Sequence, residues 1–198
     1  MKKSNYLKII VLIALGIGLI YVADGELLKR VIYSFVPEST HVTEAPAYTE
    51  IAFSPKEGAT DLIIKVINSS KESIKIAAYS FTSRPMADSI IEAKKRGVKI
   101  QVVVDKSQVR KNSHSIVARL IEDKIPIRVD YKHTIQHNKY IIVDGKTLQT
   151  GSFNYSAAAQ NRNAENVIVM WNIPKIAKIY DANWENLWNI SEPVYTVH

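Results

Sequence analysis

No cysteine occurs anywhere in the 198 residues, which excludes a disulfide framework and any zinc site built on thiolates. The lack says nothing about compartment, because an exported protein can dispense with disulfides. No internal repeat divides the sequence, and a chain of this length with 46% hydrophobic residues suffices for one ordinary core. One globular domain is expected. Also missing is a run of the roughly 20 apolar residues that a membrane-spanning helix needs.

The longest apolar run, residues 9–22, is fourteen residues long and follows Lys2, Lys3 and Lys8 with no acid among them. That is a positive n-region before the h-region of a signal peptide. Its shortness favours cleavage. Tyr21, two positions before Ala23, is bulky where a cleavage site needs a small residue, and Leu27, Leu28, Val31, Ile32 and Phe35 can extend the segment into a tilted or interfacial anchor. Residues 1–23 are therefore expected to be either a signal peptide or an N-terminal membrane anchor. In both cases the lysines stay inside and the domain leaves the cytoplasm, to be periplasmic, secreted or held at the inner membrane. Residues 24–52 are expected to be a linker, since Pro37, Pro46 and their threonine neighbours follow no period. The domain then occupies residues 53–192.

Net charge is +7, and it is concentrated. Between Arg84 and Lys139 there are thirteen Lys and Arg against six Asp and Glu, so the rest of the chain balances. A basic half-domain fits an anionic partner, either a nucleic-acid backbone or an acidic membrane surface. The plain alternative for any single residue, such as Lys94, Lys95 or Arg96, is a solvated helix face.

Leu62, Ile63, Val66 and Ile67 fall at helical spacing after Thr60, a candidate cap, and predict a helix over 61–70. Residues 73–80 read as a strand, and Ser83-Arg84-Pro85 opens a helix that Gly97 closes. An almost continuously apolar strand over 98–105 implies cover on both faces. A helix over 113–123, short strands over 127–130 and 166–171, and a last helix from Pro174 to about Asn189 complete the pattern. This alternation predicts an α/β fold, a mixed β-sheet flanked by helices.

The chemistry is concentrated in His137-Asn138-Lys139-Tyr140-Ile141-Ile142-Val143-Asp144 and in Gly151-Ser152-Phe153-Asn154. His137 and Lys139 are two apart, so on an extended chain they share a face. Ser152 and Asn154 repeat that spacing after the Asp144-Gly145 turn. An imidazole, an ammonium, a hydroxyl and a carboxamide can thus converge from neighbouring strands. They form a nucleophile or acid among groups that bind phosphate oxygens. His133 and His137 have the spacing of a helical metal pair, but their segment reads as loop and strand, and no metal or other cofactor is expected. Trp171, Trp184 and Trp188 read as core, Tyr155 as either core or a stacking platform, and His41, His114 and His198 as surface.

The pattern His-x-Lys-x4-Asp-x6-Gly-Ser-x-Asn resembles the HKD motif of the phospholipase D superfamily, and the similarity extends over about residues 53–188. It is most like the small bacterial members with one motif per chain, which include a non-specific, metal-independent endonuclease and short proteins classed as phospholipase D. The resemblance implies a homodimer with one shared active site, because a single motif supplies one histidine where the chemistry uses two. It implies that His137 attacks phosphorus to give a phosphohistidine while a second His137 protonates the leaving oxygen. Lys139, Asn154 and Ser152 would hold the phosphoryl oxygens, and Glu165 resembles the acid that orients the histidine. Asp144 would brace a turn or interface. The substrate stays open between DNA or RNA, membrane phospholipid and, in a catalytically silent protein, nucleic acid merely bound.

Overall fold

Along strand β2 (Ser73–Ala78), Ile74, Ile76 and Ala78 enter one core and Ala77 enters a second on the opposite face, the period of two that a pleated strand imposes. β5 (Lys139–Val143) repeats it, with Ile141 and Val143 on the first side and Tyr140 and Ile142 on the second. A computed structural model, which describes residues 46–110 and 113–195, shows helices over both faces. On the first lie α1 (Ala59–Asn68), α2 (Arg84–Lys95) and α3 (Val117–Glu122), which bury Ile63, Val66, Ile90 and Leu120. On the second lies α5 (Pro174–Ile190), which buries Ala177, Trp184 and Leu187. Trp184 also donates its indole N–H to the Ile76 carbonyl at 3.0 Å, so the polar end of a buried aromatic is satisfied.

The remaining elements are β1 (Tyr48–Ser54), β3 (Lys99–Asp105), a 3-10 turn (Lys106–Val109), β4 (Ile127–Asp130), β6 (Thr147–Gly151), α4 (Ala157–Asn161), β7 (Glu165–Trp171) and β8 (Glu192–Val194). Among the described residues, eight strands form one sheet in the order β1-β7-β6-β5-β2-β3-β4-β8. β2, β3 and β4 are parallel, while β5, β6, β7, β1 and β8 pair antiparallel with their neighbours. This is the expected mixed sheet with flanking helices.

Register decides where chemistry can gather. Ala78 at the end of β2 lies opposite Lys139 at the start of β5, and Asp105 at the end of β3 lies opposite Asp130 at the end of β4. Thr150 near the end of β6 faces Tyr140, and Gly151 faces Val167 near the start of β7. The ends of β2, β3, β4 and β6 and the starts of β5 and β7 therefore line a single edge of the sheet.

Three local expectations are corrected. Tyr48–Ser54, whose first five residues fall within the expected linker, is a strand that pairs along its whole length with β7, more than a hundred residues away in sequence. The helix expected from Thr60 begins at Ala59 with Gly58 in the left-handed region, φ 80°, and the Thr60 hydroxyl bonds the Gln160 side chain instead of capping. The helix expected over 113–123 is confined to Val117–Glu122, after the Ser115 hydroxyl accepts the Val117 amide. Residues 1–23, expected to be a signal peptide or membrane anchor, and most of the expected linker lie outside the described residues. Among the described residues no helix is long and apolar enough to cross a membrane.

Candidate active site

His137 stands just ahead of β5, not on it, because the strand begins at Lys139. The approach is fixed by buried polar groups. Asp105, at the end of β3, accepts the Gln136 amide at 2.9 Å, and the Gln136 side-chain oxygen accepts the Asn138 amide at 2.7 Å. The backbone is thus held on either side of His137, whose own residue is exposed. Its ring leans on Tyr79, with centroids 4.5 Å apart and planes tilted by 57°.

Lys139 is only 6% exposed, yet its ammonium lies over the same Tyr79 ring, 5.2 Å from the centroid, and donates to the His137 carbonyl at 2.6 Å. Burial holds the ammonium below the ordinary lysine range, and the negative charge of Glu165 works against that shift.

Across the hairpin, Gly151 leaves β6 with φ 150°, and it must be glycine because a side chain there would collide with the Asn166 carbonyl on β7. Ser152 then donates to Glu165 at 2.6 Å while its oxygen accepts the Asn166 amide at 3.1 Å. The other Glu165 oxygen accepts from the Asn163 carboxamide at 2.9 Å. Asn154 follows in the loop with a buried side-chain oxygen that has no partner among the described residues.

The edge therefore gathers His137, Lys139, Ser152 and Glu165, with Asn154 beside them. One expected contact is replaced within one chain. Glu165 bonds Ser152 and Asn163 rather than His137, so its orienting contact is with the hydroxyl. Asp144 sits at the far end of β5, five residues on and roughly 16 Å along an extended strand. Its carboxylate accepts the amides of Lys71, Glu72 and Ser73 at 2.8 to 3.0 Å, tying the β5–β6 turn to the start of β2. Asp144 braces a turn and does not enter the site.

His133 and His137 occupy a loop, so their spacing does not stack them as a helix would. His133 gives its Nδ1 to buried Asp130 at 2.6 Å. Among the described residues no three His, Asp or Glu side chains gather to hold a metal. Tyr155 proves to be core: it is fully buried and donates to Gln149 at 2.8 Å. Trp184 and Trp171 are buried, while Trp188 is partly buried and stacks on Trp184.

Sequence reasoning missed Tyr79, Gln136 and Asp105. Tyr79 follows an apolar strand with nothing to mark it, and the other two act through the backbone. Asn163 and Asn166 flank Glu165 and carried a usable signal, since an acid among carboxamides is set up to be hydrogen-bonded.

A family model described as "Cardiolipin synthase, PLD-like domain" matches residues 63–188. A phospholipase D of Rickettsia felis is 33% identical over 194 residues, covering 93% of this chain and 96% of that protein. The crystal structure of a phospholipase D family member, Nuc from Salmonella typhimurium, superposes with a TM-score of 0.73 at 36% identity, covering 76% of this chain and 100% of that one. NucT from Helicobacter pylori follows at 0.68 and 26%, covering 75% and 100%. Motif, sheet and these relatives agree: the chain belongs to the phospholipase D superfamily, and it is a phosphodiesterase.

Proposed function

We propose that this phosphodiesterase is a non-specific endonuclease that cleaves the nucleic-acid backbone without a metal, through a phosphohistidine intermediate. The observation that carries the choice of substrate is the charge along the catalytic edge. Lys106, Arg110 and Lys132 are at least partly exposed in the segments after β3 and β4. The acids ending those strands are buried, and they accept from amides: Asp105 from Ser107 and Gln136, Asp130 from Lys132 and His133. Cations thus meet solvent where the acids do not. Such a surface binds phosphates without reading bases.

In the mechanism, a neutral nitrogen of His137 attacks phosphorus, the bond to the leaving oxygen breaks, and that oxygen takes a proton from the partner subunit's His137. Water then attacks phosphorus, giving its proton to the histidine that acted as acid, and the phosphorus–nitrogen bond breaks. One positive charge in a shared site disfavours a second, so two identical histidines can hold different protonation states. Lys139 and the Asn154 amide stabilise charge on the non-bridging oxygens, a contribution of several kcal/mol in comparable sites. Positive charge comes from Lys139 and protonated histidine, which is the support for metal independence. Export rests on Lys2, Lys3, Lys8 and the apolar run after them.

A second reading, phospholipase D action on membrane lipid with release of the head group, is favoured by Phe53, 50% exposed, and Ile135, 52% exposed, at the same edge, and by the name of the Rickettsia felis relative. Incubating the purified protein in EDTA with plasmid DNA and, separately, with phosphatidylcholine vesicles decides between them. DNA cleavage that weakens steeply with salt, without vesicle turnover, is expected. Vesicle turnover alone would select the lipase, and activity that requires added divalent ions would reject metal independence.

A further inference from the structure

The loop after β4 carries Tyr131-Lys132-His133, exposed side chains of the kinds that meet single-stranded nucleic acid: an aromatic face, a cation and a hydrogen-bond donor. It is not a loose loop. Buried Asp130 accepts the amides of Lys132 and His133 at 2.8 and 3.1 Å and takes Nδ1 of the imidazole at 2.6 Å. That leaves Nε2 as the ring nitrogen able to meet a ligand, as a donor to a phosphate oxygen when the ring carries both protons and its charge is paired with the Asp130 carboxylate. Lys106, arriving from β3, donates to the His133 carbonyl at 3.2 Å and so stands beside the same group. The acids of the neighbouring strand ends are Asp105, buried and accepting amides, and Glu192, exposed and paired through the backbone with Val129.

This patch and His137 share one edge. Between β5 and β4 lie β2 and β3, so three strand spacings of about 4.8 Å put the two strand ends about 14 Å apart. A cleft of about 310 Å³ adjoins the patch, lined by His133, Ile135, Gln136 and Asn138 and by Asn183, Asn186, Leu187 and Ile190 of α5. One of its lining residues, Asn138, is next in sequence to His137.

We propose that Lys106, Lys132 and His133 form a second phosphate-binding subsite, which holds a more distant backbone phosphate of a single nucleic-acid strand lying along the edge of the sheet while His137 attacks another. The proposal rests on the endonuclease reading and adds to it a direction for the bound strand and the residues that hold it away from the chemistry.

The test compares a single-stranded dodecamer with bis(p-nitrophenyl) phosphate, which has no second phosphate to bind. The full-length protein should show a much lower KM for the dodecamer, and Lys132→Glu should narrow that difference by about tenfold or more. The slope of log affinity against log salt for a dodecamer should fall by about 0.7 for each phosphate no longer neutralised, in Lys106→Ala and in Lys132→Ala alike. Lys132 has an exposed side chain, so these variants should fold, with circular dichroism as the check. Should the wild type cleave the dodecamer while all three variants keep its KM and salt slope, the subsite is wrong and the endonuclease reading stands. If the wild type instead leaves every nucleic acid intact but turns over phospholipid vesicles, the endonuclease reading fails and takes the subsite with it.

Discussion

The ammonium of Lys139 donates to the carbonyl oxygen of His137 at 2.6 Å, so the lysine is fastened to the backbone of the residue proposed as nucleophile before substrate arrives. Lys139→Met keeps most of the buried stem and removes both the charge and this tie. It should lower kcat by about 10²-fold or more while changing KM much less, as expected for a group that acts on the transition state. His137 is exposed, so His137→Ala should fold normally and lose turnover altogether. Activity within tenfold of wild type in either variant would reject the assigned role.

The alkaline limb of the pH profile carries a second prediction. Lys139 must be charged to hold phosphoryl oxygens, and burial already makes it lose its proton below the ordinary lysine range. Glu165 opposes that shift. Glu165→Gln removes the opposition, so the alkaline fall of kcat/KM should move to lower pH than in wild type. A limb that stays in place, or moves upward, would show that Lys139 does not set it.

Asp144 offers a contrast, because its three amide partners lie at the other end of β5. Asp144→Ala should cost about 1 to 3 kcal/mol of stability, which for a chain of this size lowers Tm by about 2 to 4 °C per kcal/mol. Asp144→Asn should lose less, since asparagine tolerates the positive φ of 51° found there. Folded protein should retain wild-type kcat at a temperature below both transitions; a large kcat loss without a Tm change would return Asp144 to the site.

How far the sequence discloses all this depends on the range of the interaction that decides each feature. β3 and β5 are legible because apolar runs report cover on both faces, and that is local information. β1 is not legible: Tyr48–Ser54 is a strand because β7 accepts it, and nothing within seven residues announces a partner so distant. The motif glycine is visible as a letter, but its reason, the Asn166 carbonyl pressing on Gly151, appears only when β6 lies beside β7. The site behaves the same way. His137, Lys139 and Ser152 follow from spacing, whereas Tyr79 comes from a strand that only the register brings alongside. Asp144 shows the limit of a motif, since fixed spacing ties it to the pattern for a structural reason rather than a chemical one.

The last prediction follows from the single His137 in each chain. One imidazole cannot be nucleophile and leaving-group acid in the same step, so the active species should be a homodimer whose two motifs face one cleft across a two-fold axis. Sedimentation should report a dimer at concentrations where the enzyme turns over, and dilution to monomer should abolish activity. Mixing wild type with His137→Ala and allowing exchange should produce heterodimers that lack either nucleophile or acid. If they are inactive, activity falls with the square of the wild-type fraction: an equal mixture should keep about a quarter of the activity, because random pairing makes only that share fully wild type. An equal mixture that keeps half would mean that each chain works alone, and the shared-site mechanism would have to be replaced by one in which another residue of the same chain protonates the leaving oxygen.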